Sequence, residues 1–104
     1  MSFDSTLSAW NFQVLMLVQT LVGAISPNFR MVALCRGEDQ WIVKFYLEEK
    51  LKEDIDEIED IFCQYTAYQD ENLKCESEII VGTQKLPNLS EAGRVVYRRK
   101  EGLP

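Results

Sequence analysis

The 104-residue sequence predicts an α+β fold: a two-layer sandwich with αββαββ order, in which a four-stranded, antiparallel-rich sheet carries two helices on one face. Two segments with apolar residues three and four apart predict the helices, and four alternating segments predict the strands. Two layers are the simplest arrangement that buries one side of every element. The order matches a permuted ferredoxin-like fold, in which the first strand has moved to the end. The expected strand order is therefore 1-2-4-3.

The first predicted helix runs from about Thr6 to Gly23, with Asp4 and Ser5 as capping residues and the glycine as its stop. One stripe of apolar residues follows helical spacing: Leu7, Trp10, Val14, Leu17, Val18 and Leu21. Four more apolar residues widen that stripe beyond the usual width: Phe12, Leu15, Met16 and Val22. The helix is therefore either more deeply buried than the second one or covered in part by something outside the chain.

Two strands are predicted at Phe29 to Arg36 and Gln40 to Leu47, joined by a hairpin-sized loop at 37–39. Alternate residues of a strand point to opposite faces of a sheet. The second strand thus has an apolar face made of Trp41, Val43, Phe45 and Leu47, and a half-wet face made of Ile42, Lys44 and Tyr46. In the first strand, one face carries Phe29, Met31, Ala33 and Cys35. The opposite face carries Arg30, Val32, Leu34 and Arg36. Tyr46 is the candidate interface aromatic.

The second predicted helix, Leu51 to Tyr68, has the clearest pattern in the chain. Its buried stripe has spacings of four, three, four and three: Leu51, Ile55, Ile58, Phe62 and Tyr65. The face turned away is almost wholly anionic: Glu53, Asp54, Asp56, Glu57, Glu59 and Asp60. Charged surface is the default outside a core. This face therefore indicates a cationic partner only if the rest of the chain agrees.

Two further strands are predicted, at Leu73 to Val81 and at Arg94 to Arg99, separated by the loop from Gly82 to Gly93. The third strand alternates so that Glu76 and Glu78 share a face. A basic run in and after the fourth strand is expected to pair with these two carboxylates across the sheet. That run contains Arg94, Arg98, Arg99 and Lys100.

The size and charge of the chain bound its function. Residues 1–104 have the length and composition of a single domain, with a flexible tail at about residues 100–104. The net charge is −6, and the acidity is concentrated from Glu48 to Glu78, where twelve acidic side chains accompany three lysines. Nucleic acid and anionic membranes are bound through surplus Lys and Arg, so neither is the expected partner. A basic protein is the expected partner.

The sequence lacks the residues that most enzymes use. It has no His, the commonest general base and metal ligand, and no Walker loop, GxGxxG motif or nucleophile elbow. Its three cysteines match no CxxC spacing and are expected to be reduced thiols that act as small apolar residues. We therefore predict no enzymatic activity, no cofactor and no metal site. Asp4 stands where a signal peptide would need positive charge, which predicts a cytoplasmic protein.

A binding surface is predicted where two loops bring carboxylates together. A helix returns antiparallel to its flanking strands, so the first hairpin loop should share one end of the sheet with the exit from the second helix. Alternate acidic residues of the third strand extend this patch along the sheet. The predicted partner-binding residues are Glu38, Asp39, Tyr46, Asp70, Glu71, Glu76 and Glu78.

Four segments in the last two-thirds of the chain carry a family resemblance. They are WIVKFYLEE at 41–49, IEDI at 58–61, DENLKCESE at 70–78 and RVVYRR at 94–99. These segments resemble the CdiI-like immunity proteins of bacterial contact-dependent growth inhibition, which are polymorphic toxin systems. The resemblance implies a small cytosolic protein that binds and blocks the toxic C-terminal domain of its cognate exported effector. Such a domain is often a nuclease with a basic active-site cleft.

A small oligomeric ligand-binding or regulatory domain is the alternative hypothesis. In this case the half-wet sheet face pairs with a second copy through Val32, Leu34, Ile42 and Tyr46. The expected oligomeric state is a monomer or a weak homodimer. Salt separates the two hypotheses, because an acidic–basic complex associates more slowly as salt rises, whereas dimerisation through apolar side chains does not.

Overall fold

The computed structural model describes residues 6–67, 69, 73–89 and 93–101, and its elements follow the predicted order. They are helix α1 (Leu7–Leu21), strands β1 (Phe29–Arg36) and β2 (Trp41–Leu47), helix α2 (Lys52–Ala67), and strands β3 (Cys75–Val81) and β4 (Gly93–Arg98). Both helices pack on one face of the sheet. The α+β class, the αββαββ order and the two-layer arrangement are confirmed.

The strands form a mixed sheet in the order β3-β2-β1-β4. β1 pairs antiparallel with both β2 and β4, while β2 and β3 are parallel. The parallel pair follows from the chain path, because α2 crosses over between β2 and β3 and returns the chain to the same end of the sheet. The predicted strand order 1-2-4-3 is wrong, since β4 lies at the opposite edge from β3 and forms no hairpin with it.

The segment after β3 gives the physical reason for this strand order. It leaves β3 at one end of the sheet, where Gly82 N donates a hydrogen bond to Leu47 O at 3.0 Å. Leu86 is then buried against Met31 and its neighbours, on the sheet face opposite the helices. A tight hairpin would leave such an apolar side chain in water, at a cost of about 1.5–3 kcal/mol. Packing across the sheet face leads the chain toward the far edge, where β4 pairs with β1.

A β-bulge near the start of β1 changes which residues face the helices. The pairing with β2 shifts register between Phe29 and Met31. As a result Phe29 joins Val32 and Leu34 in the core under the helices, where all three are completely buried. The strict alternation predicted for β1 is therefore wrong at Phe29. Val32 and Leu34 are also not available to bind a second copy through the half-wet face.

The main core lies between the helices and the sheet. Its buried members on β2 are those predicted, Trp41, Val43, Phe45 and Leu47, and α2 contributes Ile58, Ile61 and Tyr65. The rings of Trp10 on α1 and Trp41 on β2 meet edge to face, with centroids 4.8 Å apart. This geometry is the favoured one for aromatic pairs and fixes the start of α1 over the start of β2.

The sheet face opposite the helices carries a second, smaller apolar cluster. Its buried members are Met31, Ala33, Cys35, Tyr46 and Leu86. Tyr46 is only 8% exposed, because Leu86 and Leu89 come from the segment that crosses this face. The expectation of an outward-facing aromatic at Tyr46 is therefore wrong. The face that was expected to be half-wet is largely covered by the chain itself.

Helix α1 buries only one side, although nearly all of it is apolar. It begins after Thr6, whose Oγ1 accepts a hydrogen bond from Ala9 N at 3.2 Å, while the predicted caps Asp4 and Ser5 lie outside the described residues. Its buried residues are Trp10, Gln13, Leu17 and Leu21, and its exposed apolar residues, with the C-cap, are Leu7, Phe12, Leu15, Val18 and Val22. Incomplete cover, and not deeper burial, thus explains the wide stripe. No helix in the described part of the chain is long and apolar enough to cross a membrane.

Helix α2 is rotated from the predicted orientation. Its buried line is Asp54, Ile58, Ile61 and Tyr65, with Ile55 and Phe62 half-buried beside it. Polar contacts help to set this rotation. The Asp54 carboxylate accepts hydrogen bonds from Ser26 Oγ at 2.9 Å and Asn28 Nδ2 at 3.0 Å. Asp54 therefore belongs to the fold and not to the exposed anionic face.

Candidate functional site

The predicted acidic surface begins at the turn between β1 and β2. Gly37 N donates to Gln40 O at 2.8 Å and closes this turn. Glu38 and Asp39 lie between these two residues and are both exposed. Two carboxylates thus project from a short turn that is held by its own hydrogen bond and by the paired strands on either side.

The approach to β3 lies at the same end of the sheet as this turn. Trp41 N, at the start of β2, donates to Lys74 O at 2.9 Å, and Lys74 Nζ lies 3.8 Å from Asp39 Oδ2. Both side chains of this ion pair are mostly exposed, so it contributes about 0–1 kcal/mol. The turn therefore meets the approach to β3 at Lys74, whereas its meeting with the acidic residues at the exit from α2 stays a prediction. Asp70 and Glu71 lie outside the described residues.

Glu76 and Glu78 are exposed on β3, on the sheet face that turns away from the helices. Their register partners on β2 are Ile42 and Lys44. Because β3 is an edge strand, the two carboxylates have a neighbouring strand on one side only. Neither forms a salt bridge with another residue that the structure describes. One edge of the sheet therefore presents two carboxylates that no ion pair with a described residue neutralises.

The predicted pairing of the fourth strand's basic residues with Glu76 and Glu78 is wrong, because β4 occupies the opposite edge of the sheet. Arg94 instead lies over the Trp10 ring, with its guanidinium carbon 4.5 Å from the ring centroid. An arginine in this position is attracted by the electron-rich face of the indole. The positive charge of Arg94 is thus used inside the fold, between α1 and β4.

Four charged residues, here called the arginine cluster, close the other end of the sheet: Arg30, Glu48, Arg99 and Glu101. Glu101 accepts hydrogen bonds from Arg30 Nε at 3.0 Å and from Arg99 Nε at 2.9 Å. Arg99 Nη2 also donates to Glu48 Oε1 at 3.0 Å. The bonds from Arg30 and then Arg99 lower the pKa of Glu101, and the bonds to Glu101 and then Glu48 raise the pKa of Arg99. Glu101, which was placed in the predicted flexible tail, is thereby tied to β1.

The outward face of α2 carries a separate group of carboxylates. Its exposed members are Glu53, Asp56, Glu59 and Asp60. Lys52 Nζ lies 2.9 Å from Asp56 Oδ2, one turn along the helix, and both side chains are largely in water. Charges spread along a helix in this way are well solvated, and each contributes about 0–1 kcal/mol to an ion pair.

An open groove of about 480 Å³ lies beside the arginine cluster. Its lining consists of Ser26, Pro27, Asn28, Glu48, Glu49, Leu51, Glu53, Asp54 and Arg99. The polar groups of this lining already bond to one another, since Asn28 Nδ2 donates both to Asp54 Oδ2 at 3.0 Å and to Glu49 O at 2.8 Å. Among the described residues, no group of three acidic or thiol side chains is arranged to hold a metal ion. The hydrogen-bonded residues that line the groove therefore join the sheet to the start of α2.

The three thiols differ in exposure. Cys35 is buried, Cys75 is half-buried and Cys63 is exposed, and none forms a disulfide. Burial raises the pKa of the Cys35 and Cys75 thiols, which disfavours the reactive thiolate. Cys63 was expected to act as a small apolar residue beside the buried stripe. Its exposure follows from the rotation of α2.

Comparison with known proteins gives a match that covers most of the chain. A family model described as MafI2 immunity protein matches residues 13–101 of the chain. The matched region begins within α1 and includes α2 and strands β1 to β4. No curated protein matches the chain. The predicted resemblance is confirmed at the level of an immunity protein family, and membership of the CdiI-like group specifically remains a prediction.

Proposed function

The chain belongs to the MafI2 immunity protein family, and we propose that it binds a cognate toxin domain and neutralises it by stoichiometric occlusion. Each molecule blocks one toxin molecule and catalyses no reaction. The missing histidine and the missing catalytic motifs support this non-enzymatic role. The proposed target is the C-terminal domain of an exported effector, as the resemblance to CdiI-like proteins implies. Binding takes place in the cytoplasm, where three free cysteines are expected to stay reduced.

We infer that the toxin domain is basic and that it is a nuclease. Proteins that act on nucleic acid gather Lys and Arg to contact the phosphates. An acidic inhibitor with a net charge of −6 is attracted to such a cleft and competes with the nucleic acid for it. The same attraction speeds association, and salt is expected to slow it.

The observation that supports this proposal is the exposure of four carboxylates on the β1–β2 turn and on β3: Glu38, Asp39, Glu76 and Glu78. The proposed surface, here called the acidic edge, consists of Glu38, Asp39, Asp70, Glu71, Glu76 and Glu78. Among the described members, Asp39 forms one exposed ion pair and the others form none. Because a tight turn and a paired strand already hold their backbones, binding orders little more than the side chains. Tyr46 does not belong to this surface, since it is buried under Leu86.

The test is a titration of the cognate toxin domain, to be sought in the neighbouring reading frame, with its activity as the readout. A tight complex predicts a sharp loss of activity at one equivalent, and longer incubation should not move that endpoint. Complete neutralisation by a small fraction of one equivalent would show turnover and contradict the proposal. Measuring cleavage of DNA and of RNA in the same titration tests the nuclease assignment separately. A toxin that cleaves neither but is still neutralised at one equivalent contradicts that assignment alone.

A further inference from the structure

The outward side of α1 carries a line of apolar residues that nothing in the described chain covers. Leu7, Asn11, Leu15, Val18 and Val22 follow one another at spacings of four, four, three and four, which places them on one side of a helix. The apolar members are 68%, 56%, 39% and 82% exposed in sequence order. We call this line the outer stripe.

The outer stripe lies in the one long part of the sequence that has no charge. No Asp, Glu, Lys or Arg occurs from Ser5 to Phe29, although the chain as a whole has a net charge of −6. Two copies of an acidic protein repel each other through most of their surfaces. At the outer stripe this repulsion is weakest, and apolar side chains are available to replace water contacts.

The outer stripe also points away from α2 and its carboxylates. Gln13 marks the side of α1 that faces α2, because its side chain accepts a hydrogen bond from Tyr65 Oη at 2.5 Å and donates one to Gln69 Oε1 at 2.8 Å. Asn11, at the middle of the outer stripe, lies roughly 160° around the helix from Gln13 at 3.6 residues per turn. A partner that binds the outer stripe therefore need not approach the anionic face of α2.

We propose that the outer stripe binds a second copy of this chain and forms a symmetric dimer through α1. Symmetric dimers use the same patch on both subunits, so the patch must be complementary to itself. When two α1 helices pack antiparallel with Leu7 opposite Val22 of the second copy, the two-fold axis passes between positions 14 and 15. The two Leu15 side chains then meet beside this axis, and Asn11 lies opposite Val18. The contacts are apolar except at Asn11, and no pair of like charges is brought together.

The size of the outer stripe predicts a weak dimer. Its apolar side chains present on the order of 400 Å² per copy, which is the size of the largest apolar patch on a typical monomeric protein, and such patches are often functional. Two such patches remove on the order of 800 Å² from water, and flanking polar groups add to this total. This total lies below the roughly 1,200 Å² at which stable interfaces begin, in the range of weak and transient contacts, so dissociation in the micromolar range or above is expected.

The dimer is tested by sedimentation equilibrium of the whole chain from micromolar to millimolar concentration. The apparent mass should rise from 12.1 kDa toward twice that value. The double substitution Leu7→Gln and Leu15→Gln keeps helix propensity and should raise the dissociation constant roughly tenfold or more. Phe12→Gln is the matched control, because Phe12 is 52% exposed on the same helix but lies outside the outer stripe. A chain that stays monomeric at every concentration overturns the proposal, as does equal weakening by both changes.

The two-fold axis is tested by crosslinking, which does not depend on the Gln variants folding. In a Cys63→Ser background, Leu15→Cys should form an intermolecular disulfide with oxidised glutathione, whereas Phe12→Cys should not. Equal crosslinking at both positions contradicts the antiparallel arrangement. The dimer does not depend on the proposed toxin-binding role. Loss of toxin neutralisation in the Leu7→Gln and Leu15→Gln variant, without any dimer in the unmodified chain, would assign the outer stripe to the toxin and overturn the proposal.

Discussion

The two edges of the sheet carry opposite charges and use them differently. At the β4 edge, Arg94 lies over Trp10, and Arg99 just beyond the strand bonds to Glu48 and Glu101. At the β3 edge, acidic side chains extend into water without salt bridges to described residues. Arg94 and Arg99 at the basic edge therefore bond within the fold, while Glu76 and Glu78 at the acidic edge remain available to a partner. Strand order causes this difference, because β1 and β2 lie between the two edges and keep their charges apart.

Charge reversal at the acidic edge should have the largest effect. Removing one partner of a buried interfacial charge pair costs about 2–5 kcal/mol, so Glu76→Lys with Glu78→Lys is expected to weaken toxin binding by about two orders of magnitude or more. The same change on α2, Glu59→Lys with Asp60→Lys, is the matched control. Those carboxylates are solvated, and their reversal should cost about 0–1 kcal/mol each.

A binding titration in moderate salt measures both variants, and circular dichroism checks that both are folded. The opposite ranking would move the toxin interface onto α2. Equal and small effects would indicate that the acidity of this protein serves solubility alone.

Among the basic residues that bond within the fold, Arg30 on β1 should have the largest effect on stability when it is lost. Arg30 is 5% exposed and donates to Gly82 O at 3.0 Å as well as to Glu101. Arg30→Met leaves these acceptors without their donor, and we expect the free energy of unfolding to fall by about 2 kcal/mol. Arg98→Met, at an exposed position of β4, should change it by less than about 0.5 kcal/mol. Urea unfolding of both variants measures the difference, and equal losses would contradict the structural role of Arg30.

The contact between Arg94 and Trp10 should have a smaller effect. A cation over an aromatic ring contributes about 0.5–1 kcal/mol at a partly exposed site, so Arg94→Gln should lower the free energy of unfolding by about that amount. Arg94→Lys keeps a cation near the ring and is expected to recover part of the loss. Tryptophan fluorescence follows unfolding of both variants in urea. A glutamine variant as stable as the unmodified chain would show that this contact is not stabilising.

The smallest expected effect is a pH dependence at Glu101. Hydrogen bonds from Arg30 and Arg99 hold the pKa of Glu101 below its ordinary value of 4.5. A carboxylate with a lowered pKa adds stability above its unfolded pKa and loses that contribution as pH falls through its folded pKa. The unmodified chain should therefore be more stable than Glu101→Gln at neutral pH, and the difference should shrink below pH 4.5. A difference that does not change with pH would rule out the carboxylate charge as its source.

The sequence predicts those parts of the fold that depend on neighbouring residues. The β1–β2 hairpin, the exposure of Glu76 and Glu78 and the existence of α2 all follow from local spacing, and all are observed. The strand order was missed because it depends on Leu86, which packs on strands far away in the sequence. The rotation of α2 was missed for a similar reason. A carboxylate such as Asp54 is expected at the surface unless its distant partners are known.

For the surfaces of the protein, too, local spacing does not reveal contacts between residues that are distant in the sequence. Periodicity alone does not tell which side of the nearly uniform α1 faces the sheet, so Leu15 was grouped with one wide apolar stripe, and only the structure shows that it is 56% exposed. The unusual width of the apolar stripe on α1 was the sequence signal for an uncovered surface. Tyr46 was expected in water because it alternates with core residues of β2, yet the segment carrying Leu86 covers it. The acidic edge could be expected from composition, but the absence of salt bridges between Glu76 or Glu78 and the described residues follows only from the strand order.

The position of Glu76 and Glu78 on an edge strand also protects the protein from aggregation. The outer side of β3 offers backbone groups to which a strand of another molecule can add, and charge along an edge is a common defence against such addition. Ile79 and Val81, both exposed on the same strand, would otherwise favour strand addition. Neutral substitutions at Glu76 and Glu78 would remove this defence together with any toxin contact. Lysine keeps charge on the edge, so loss of binding by the lysine variants cannot be mistaken for loss of soluble protein.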